Sequence, residues 1–228
     1  MEQTHYNREL LHHFYQFISD NKRNKFEQFI LDRTRYICVA LEDIFQPHNA
    51  SAVIRTCDCF GIQDIHFIEN DNKYRVNPDI TLGSNKWVSL ICHNSLQDNT
   101  PETIRHLRSS GYRIVATSPH IRNYSPKDLP LDQKIALFFG KELEGLSDTV
   151  INEADMFVHI PMYGFTESFN ISVSAAILIH ALTERLRELN IRWKLSEEEM
   201  VEIKLDWARN TIRMAPVIEK EFYENYRE

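Results

Sequence analysis

The sequence predicts an α/β fold with a mostly parallel sheet and helical extensions at both ends. Short apolar runs alternate with stretches of helical periodicity, the pattern of repeated strand–helix–strand units. The chain has 228 residues, 43% of them apolar, enough for one full core. No internal repeat, low-complexity segment or linker divides it. The expected division is a helical extension over 1–34, an α/β domain over 35–190 and a second helical extension over 191–228.

Taken in order, residues 7–20 set Leu10, Leu11, Phe14, Phe17 and Ile18 on one helical face. A second helix is expected over 24–34, with Phe26, Phe29 and Ile30 inward. Lys22, Arg23, Lys25, Arg33 and Arg35 crowd this stretch and read either as a solvated helix face or as a phosphate patch. Residues 36–41 form a buried-strand run, closed by the acidic pair Glu42 and Asp43. Pro47 ends the extended segment, and Asn49 or Ser51 is the expected cap of a helix that Gly61 closes. Residues 64–69 are the next strand.

Residues 70–86 lack periodicity and read as a long irregular loop. A strand over 87–93, an amphipathic helix over 100–110 and a strand over 112–117 follow. Residues 135–140 are the most apolar strand; Gly145 permits the turn after it, and Ser147 starts a short helix. The stretch 158–187 begins as a strand ending at Pro161, passes a polar loop, and enters a long helix near Ser168 and Asn170. Ser172, Ser174, Ala175 and Ala176 keep that helix thin, so another backbone or a flat ligand can approach. A well-capped core helix is the plainer reading of the same residues. Ser196 and Glu199 form a capping box for a helix over 196–213, and the tail beyond Pro216 is either a short docking helix or frayed.

Composition excludes several functions. No run approaches a membrane span, and the N-terminus has no apolar signal region, so a cytoplasmic setting is expected. The four cysteines form no CxxC pair, and the ten histidines show no ligand spacing; reduced thiols and no metal are expected. A net charge of −7 weighs against nucleic acid as a partner, although a local basic patch would suffice. Six glycines make no GxGxxG. Residues 140–145 lack the lysine that must follow the second glycine of a phosphate loop, and no GxSxG elbow occurs.

Three polar strand-to-helix handovers remain: PHNASAVIRT, FFGKELEGLS and IPMYGFTESFNISVSAA. In this order and spacing they resemble the three motifs of the SPOUT superfamily, and more narrowly the TrmH (SpoU) family of RNA ribose 2′-O-methyltransferases. The likeness spans about residues 33–187. The NKW of 85–87, the RNKFEQFILDRTR stretch and the LSEEE…W helix resemble its tRNA-type branch.

The resemblance implies a C-terminal trefoil knot at about 135–190, a rare exception to unknotted topology, and a homodimer whose active site is completed across the interface. It implies S-adenosyl-L-methionine as cofactor and the D-loop guanosine of tRNA, position 18, as substrate. Ribosomal RNA, another tRNA position and a catalytically weak RNA-binding homologue are the alternatives. Carried over by motif, Thr117, Gly140, Glu142, Ile160, Met162 and Phe169 would bind the cofactor, Phe169 standing where the family commonly has Leu. Asn49, Arg55, Glu142, Ser168 and Asn170 would form the catalytic set, with Arg55 held by Asn49. A guanidinium has a pKa above about 12, so Arg55 suits an oxyanion better than a proton; a substrate phosphate or Glu142 could take the proton. Arg23, Lys25, Arg33, Arg35, His48 and Lys86 are the candidate RNA contacts, with Arg185 and Arg187 as weaker ones.

Overall fold

The structure, a computed structural model, describes residues 2–74 and 77–226. The chain forms two compact units, one of residues 34–193 and one joining 1–33 to 194–228.

The larger unit is built on six parallel strands: β1 (Ile37–Glu42), β2 (Asp64–Ile68), β3 (Ser89–His93), β4 (Arg113–Thr117), β5 (Ile135–Phe139) and β6 (Met156–Val158). Their order is β3-β2-β1-β5-β4-β6. The two central strands, β1 and β5, are buried along their whole length. That is why they read as unbroken apolar runs rather than alternating ones. Along β1, Ile37, Val39 and Leu41 face one layer, where Val53, Ile54 and Cys57 of α3 (Pro47–Phe60) join Leu178, Ile179 and Leu182 of α7 (Ile171–Glu188). Cys38 and Ala40 face the other layer, with Ile104 and Leu107 of α5 (Thr100–Ser109) and Val150 of α6 (Asp148–Glu153). Each fully buried Leu, Ile or Phe contributes about 1.5–3 kcal/mol.

Successive strands run outward from β1 in one direction and return to β5 on its other side. The carboxyl ends of β1 and β5 therefore flank a topological switch point, where open α/β sheets keep their ligands.

Several expectations are corrected. Among the described residues of the long loop over 70–86, which leave out 75 and 76, there are a helical turn, α4 (Pro78–Thr81), and a 3-10 turn at Ser84–Lys86; Trp87 ends that turn rather than starting β3. Helix α3 starts at Pro47, whose fixed φ suits a first helical position, so neither Asn49 nor Ser51 is its cap. The Ser51 hydroxyl instead accepts from the Asn77 amide at 2.9 Å. Strand β6 stops at Val158 rather than Pro161, and on its outer side the Tyr124 amide donates to the Phe157 carbonyl while the Tyr124 carbonyl accepts from the His159 amide.

The smaller unit holds α1 (Glu2–Tyr15), α2 (Asp20–Phe29), α8 (Glu197–Thr211) and α9 (Ala215–Tyr226). Leu10, Leu11, Phe14, Ile18, Phe26 and Ile30 are buried, but Phe17 and Phe29 are half exposed, against expectation. Helix α1 ends at Tyr15, which leaves Phe17 beyond its apolar face, and α2 ends at Phe29, after which Ile30–Asp32 tighten into a 3-10 turn that breaks the face Phe29 was expected to share. Both halves of the Ser196–Glu199 capping box form, and the tail is helical.

Candidate active site

Strand β5 hands over to a tight turn. The Lys141 amide donates to the Gly145 carbonyl at 2.9 Å, and the Gly145 amide returns a bond of 3.0 Å. Gly145 supplies the left-handed conformation, φ 75°. Gly140 is required for a different reason: a Cβ there would lie 2.2 Å from the Gly145 carbonyl carbon. Glu142 stands at the tip, where its Oε1 accepts from the Asn49 side-chain amide at 2.9 Å and the Gln46 backbone at 3.3 Å. The Asn49 Oδ1 in turn accepts from the Asn170 amide at 3.1 Å. Asn170 caps α7, its Oδ1 taking the Ser172 amide at 2.8 Å. One hydrogen-bonded row thus joins residues from all three handovers. Asn49 is buried at its centre, with 4% of its surface exposed.

Beside this row lies a cavity of about 460 Å³, within the usual range for small-molecule sites. Thr117, Gly140, Glu142, Ile160, Met162 and Phe169, named from six positions along the chain, all line it, as does Ser168. The Thr117 hydroxyl donates to the Phe138 carbonyl at 2.8 Å, tying β4 to the end of β5. Phe169 is partly exposed at the wall. Ser174 also lines the cavity, so the thin first half of α7 borders it there. The walls combine aliphatic side chains with turn backbone and two carboxylates, Glu142 and Glu144. Lys141 lines the cavity as well, so charges of both signs are present, and the site suits a flat apolar body carrying a polar end.

Not every expectation is met. Arg55 is exposed and outside the cavity lining. Six residues separate it from Asn49, roughly 240° around a helix, so Asn49 does not hold it. Among the candidate RNA contacts, Arg33 is buried, its guanidinium 5.4 Å above the Trp207 ring, and cannot reach a phosphate. Arg35 is engaged by Asp64 at 3.2 Å. Arg23 pairs with Asp20 on its own helix. Lys25, His48 and Lys86 are exposed. Arg185 donates to the carbonyls of Pro126 and Leu129, and Arg187 to that of Phe60. Among the described residues no group of three His, Cys, Asp or Glu is placed to hold a metal ion.

Two supporting residues had no assigned role in the sequence reading. Glu42, 2% exposed, accepts from the Ser147 amide at 2.9 Å and from the hydroxyls of Ser147 and Thr100 at 2.7 Å each. Lys141 reaches back toward Asp43 and Asp71. An acidic pair closing a buried strand was the available signal.

Known proteins agree with this geometry. A "tRNA (guanosine(18)-2'-O)-methyltransferase" of Borreliella burgdorferi is 44% identical over 203 residues, which cover 89% of this chain and 91% of that protein. The crystal structure of the A. aeolicus TrmH/SpoU tRNA modifying enzyme matches with a TM-score of 0.75 and 29% identity, covering 84% of this chain and 98% of that one. An AdoMet-bound rRNA methyltransferase from Sinorhizobium meliloti shares the fold, with a TM-score of 0.58 and 24% identity over 69% of this chain and 59% of that one. The model of the SpoU rRNA Methylase family matches residues 36–180, a span that contains all three handovers, the cavity and the hydrogen-bonded row. On this evidence the chain belongs to the SpoU rRNA methylase family.

Proposed function

We propose that this chain transfers the methyl group of S-adenosyl-L-methionine to the ribose 2′-hydroxyl of the D-loop guanosine of tRNA, position 18. The observation that carries the reading is the convergence of the six cofactor candidates on one cavity, bordered by the Glu142–Asn49–Asn170 row. The activity in the name of the 44% identical relative supports the substrate.

The cavity fits the cofactor. Gly140 lets the backbone of Gly145 and Leu146 close the turn where a Cβ would otherwise stand, and Ile160 and Met162 share the lining with that turn. When bound, the cofactor supplies an electrophilic methyl group on a sulfonium. The protein must then make a ribose hydroxyl nucleophilic. Asn49 fixes Oε1 of Glu142, which leaves Oε2 to take the ribose proton; a substrate phosphate is the other acceptor. Ser168 and Asn170 orient the ribose at the rim. Arg55 stabilises the developing oxyanion by hydrogen bonding and charge.

Because Arg55 stands outside its own chain's cavity, the reading places it at the reacting oxygen of a second copy, in a homodimer. Phe45, Phe169 and Val173, all substantially exposed, supply apolar surface for such a contact. A trefoil knot belongs to the same reading. It is supported by β6 lying between β4 and Tyr124, and by Arg185 of α7 bonding Pro126 and Leu129 in the 118–134 segment. For tRNA contact, Lys25, His48 and Lys86 are the candidates whose exposure supports the role, with Arg23 secondary.

The test is methyl transfer from labelled cofactor to an unmodified tRNA transcript, followed by nucleoside analysis. Label in 2′-O-methylguanosine, lost in Arg55→Ala while cofactor affinity is kept, is the expected result. Label confined to ribosomal RNA would overturn the substrate. Loss of cofactor binding in Arg55→Ala, with turnover intact at saturation, would overturn the role of Arg55.

A further inference from the structure

Lys141 is the one lysine or arginine among the described residues that line the cavity. A cation there invites assignment to the cofactor's carboxylate, but its contacts point elsewhere. The ammonium lies 3.0 Å from Asp71 Oδ2, 3.3 Å from Glu144 Oε2 and 3.9 Å from Asp43 Oδ2. The hydrogen bond to Asp71, the largest influence, raises the ammonium above the usual lysine value and keeps it charged.

The partner side is itself held in place. Asp43 is 3% exposed and adopts φ 51°, a left-handed conformation that is unfavourable for a residue with a Cβ. Its Oδ1 offsets that by accepting three backbone amides, from Asn70 at 2.8 Å, Asp71 at 2.9 Å and Asn72 at 3.2 Å. The other oxygen is left to face Lys141. The preceding residue, Glu42, holds Ser147 at the far end of the same turn. Two adjacent carboxylates at the end of β1 therefore restrain the turn over 140–147 at both ends.

We propose that Lys141 is a positioning residue that clamps the Gly140–Gly145 turn onto Asp43 and Asp71, and so sets the affinity for the cofactor without touching it. This rests on the reading that the cavity binds S-adenosyl-L-methionine. Asp71 and Glu144 are three-quarters exposed, so salt screens part of the clamp, and affinity should fall as ionic strength rises.

The experiment titrates S-adenosyl-L-methionine into the full chain by calorimetry at low and high salt. It compares the wild type with Lys141→Met, Lys141→Arg and Asp71→Asn, and measures kcat on tRNA at saturating cofactor. Lys141→Met should weaken binding on the order of tenfold and flatten its salt dependence, with kcat kept. Lys141→Arg should restore most of the affinity. Asp71→Asn, a change at an exposed carboxylate that leaves the lysine in place, should weaken binding less. Wild-type affinity and salt dependence in Lys141→Met would overturn the clamp. So would a fall in kcat with unchanged affinity, because Lys141 would then act on the reacting groups. A wild-type chain that binds no cofactor would overturn the cavity reading itself, and the clamp with it.

Discussion

Gly140→Ala is a small substitution with a large expected effect. The added Cβ would lie 2.2–2.3 Å from the carbonyl carbon and oxygen of Gly145 and the amide of Leu146. All three are backbone atoms of the same turn, so no flexible side chain can swing aside. Ordinary contact requires the two arms of the turn to part by about 1 Å, which breaks both Lys141–Gly145 hydrogen bonds. At a net 0.5–1.5 kcal/mol per bond, the cost is about 1–3 kcal/mol. A domain with an ordinary stability of about 5–15 kcal/mol survives that loss. The cofactor site does not, because the displaced turn carries both Gly140 and Glu142. If half of the cost appears in binding, affinity falls about two- to tenfold. Calorimetric titration of S-adenosyl-L-methionine, with a thermal melt as the folding control, reads both quantities. Wild-type affinity in Gly140→Ala would refute the reasoning, since the turn could then open without consequence for the ligand.

Other perturbations separate chemistry from packing. Asn49→Ala removes the centre of the row between Glu142 and Asn170. It should lower kcat about 10–100-fold, the equivalent of one hydrogen bond to a charged group, with little change in cofactor affinity by titration. Arg33→Ala should cost about 1–2 kcal/mol of stability through the lost Trp207 stack, seen as an earlier denaturation midpoint, while tRNA affinity in filter binding stays unchanged. Burial, then the neighbouring His93 and His106, push His66 down to about 3. The folded chain holds it neutral where an unfolded chain takes up a proton, so stability should fall as pH drops below about 6.5, by about 1.4 kcal/mol per unit from this residue. Denaturation at stepped pH should show that slope reduced in His66→Gln; an equal slope in both proteins would contradict it.

The sheet was legible in the sequence because β1, β2 and β5 are buried on both faces, and burial writes itself as uninterrupted apolar runs. Helix ends were legible where a cap acts locally: Gly61, Ser147, Asn170 and the Ser196–Glu199 box all sit at the termini expected of them. The start of α3 was not, because Asn49 has the chemistry of a cap but is committed to a partner 93 residues away. The partner on the outer side of β6 was equally illegible, since the bridge from Tyr124 is tertiary. For the site, the family resemblance named six residues that line one cavity. What spacing could not give was rotation and competition. Arg55 faces away from Asn49, Arg33 is taken by Trp207, and Arg35 by Asp64.

The central claim is that the acceptor is one ribose oxygen. The most direct measurement uses a tRNA assembled with 2′-deoxyguanosine at position 18 alone, compared with the all-ribose molecule, in transfer from labelled S-adenosyl-L-methionine. The account predicts full labelling of the ribose form and none of the deoxy form, with both binding the protein equally. Label incorporated into the deoxy form would mean that the methyl group goes to a base or to another nucleotide.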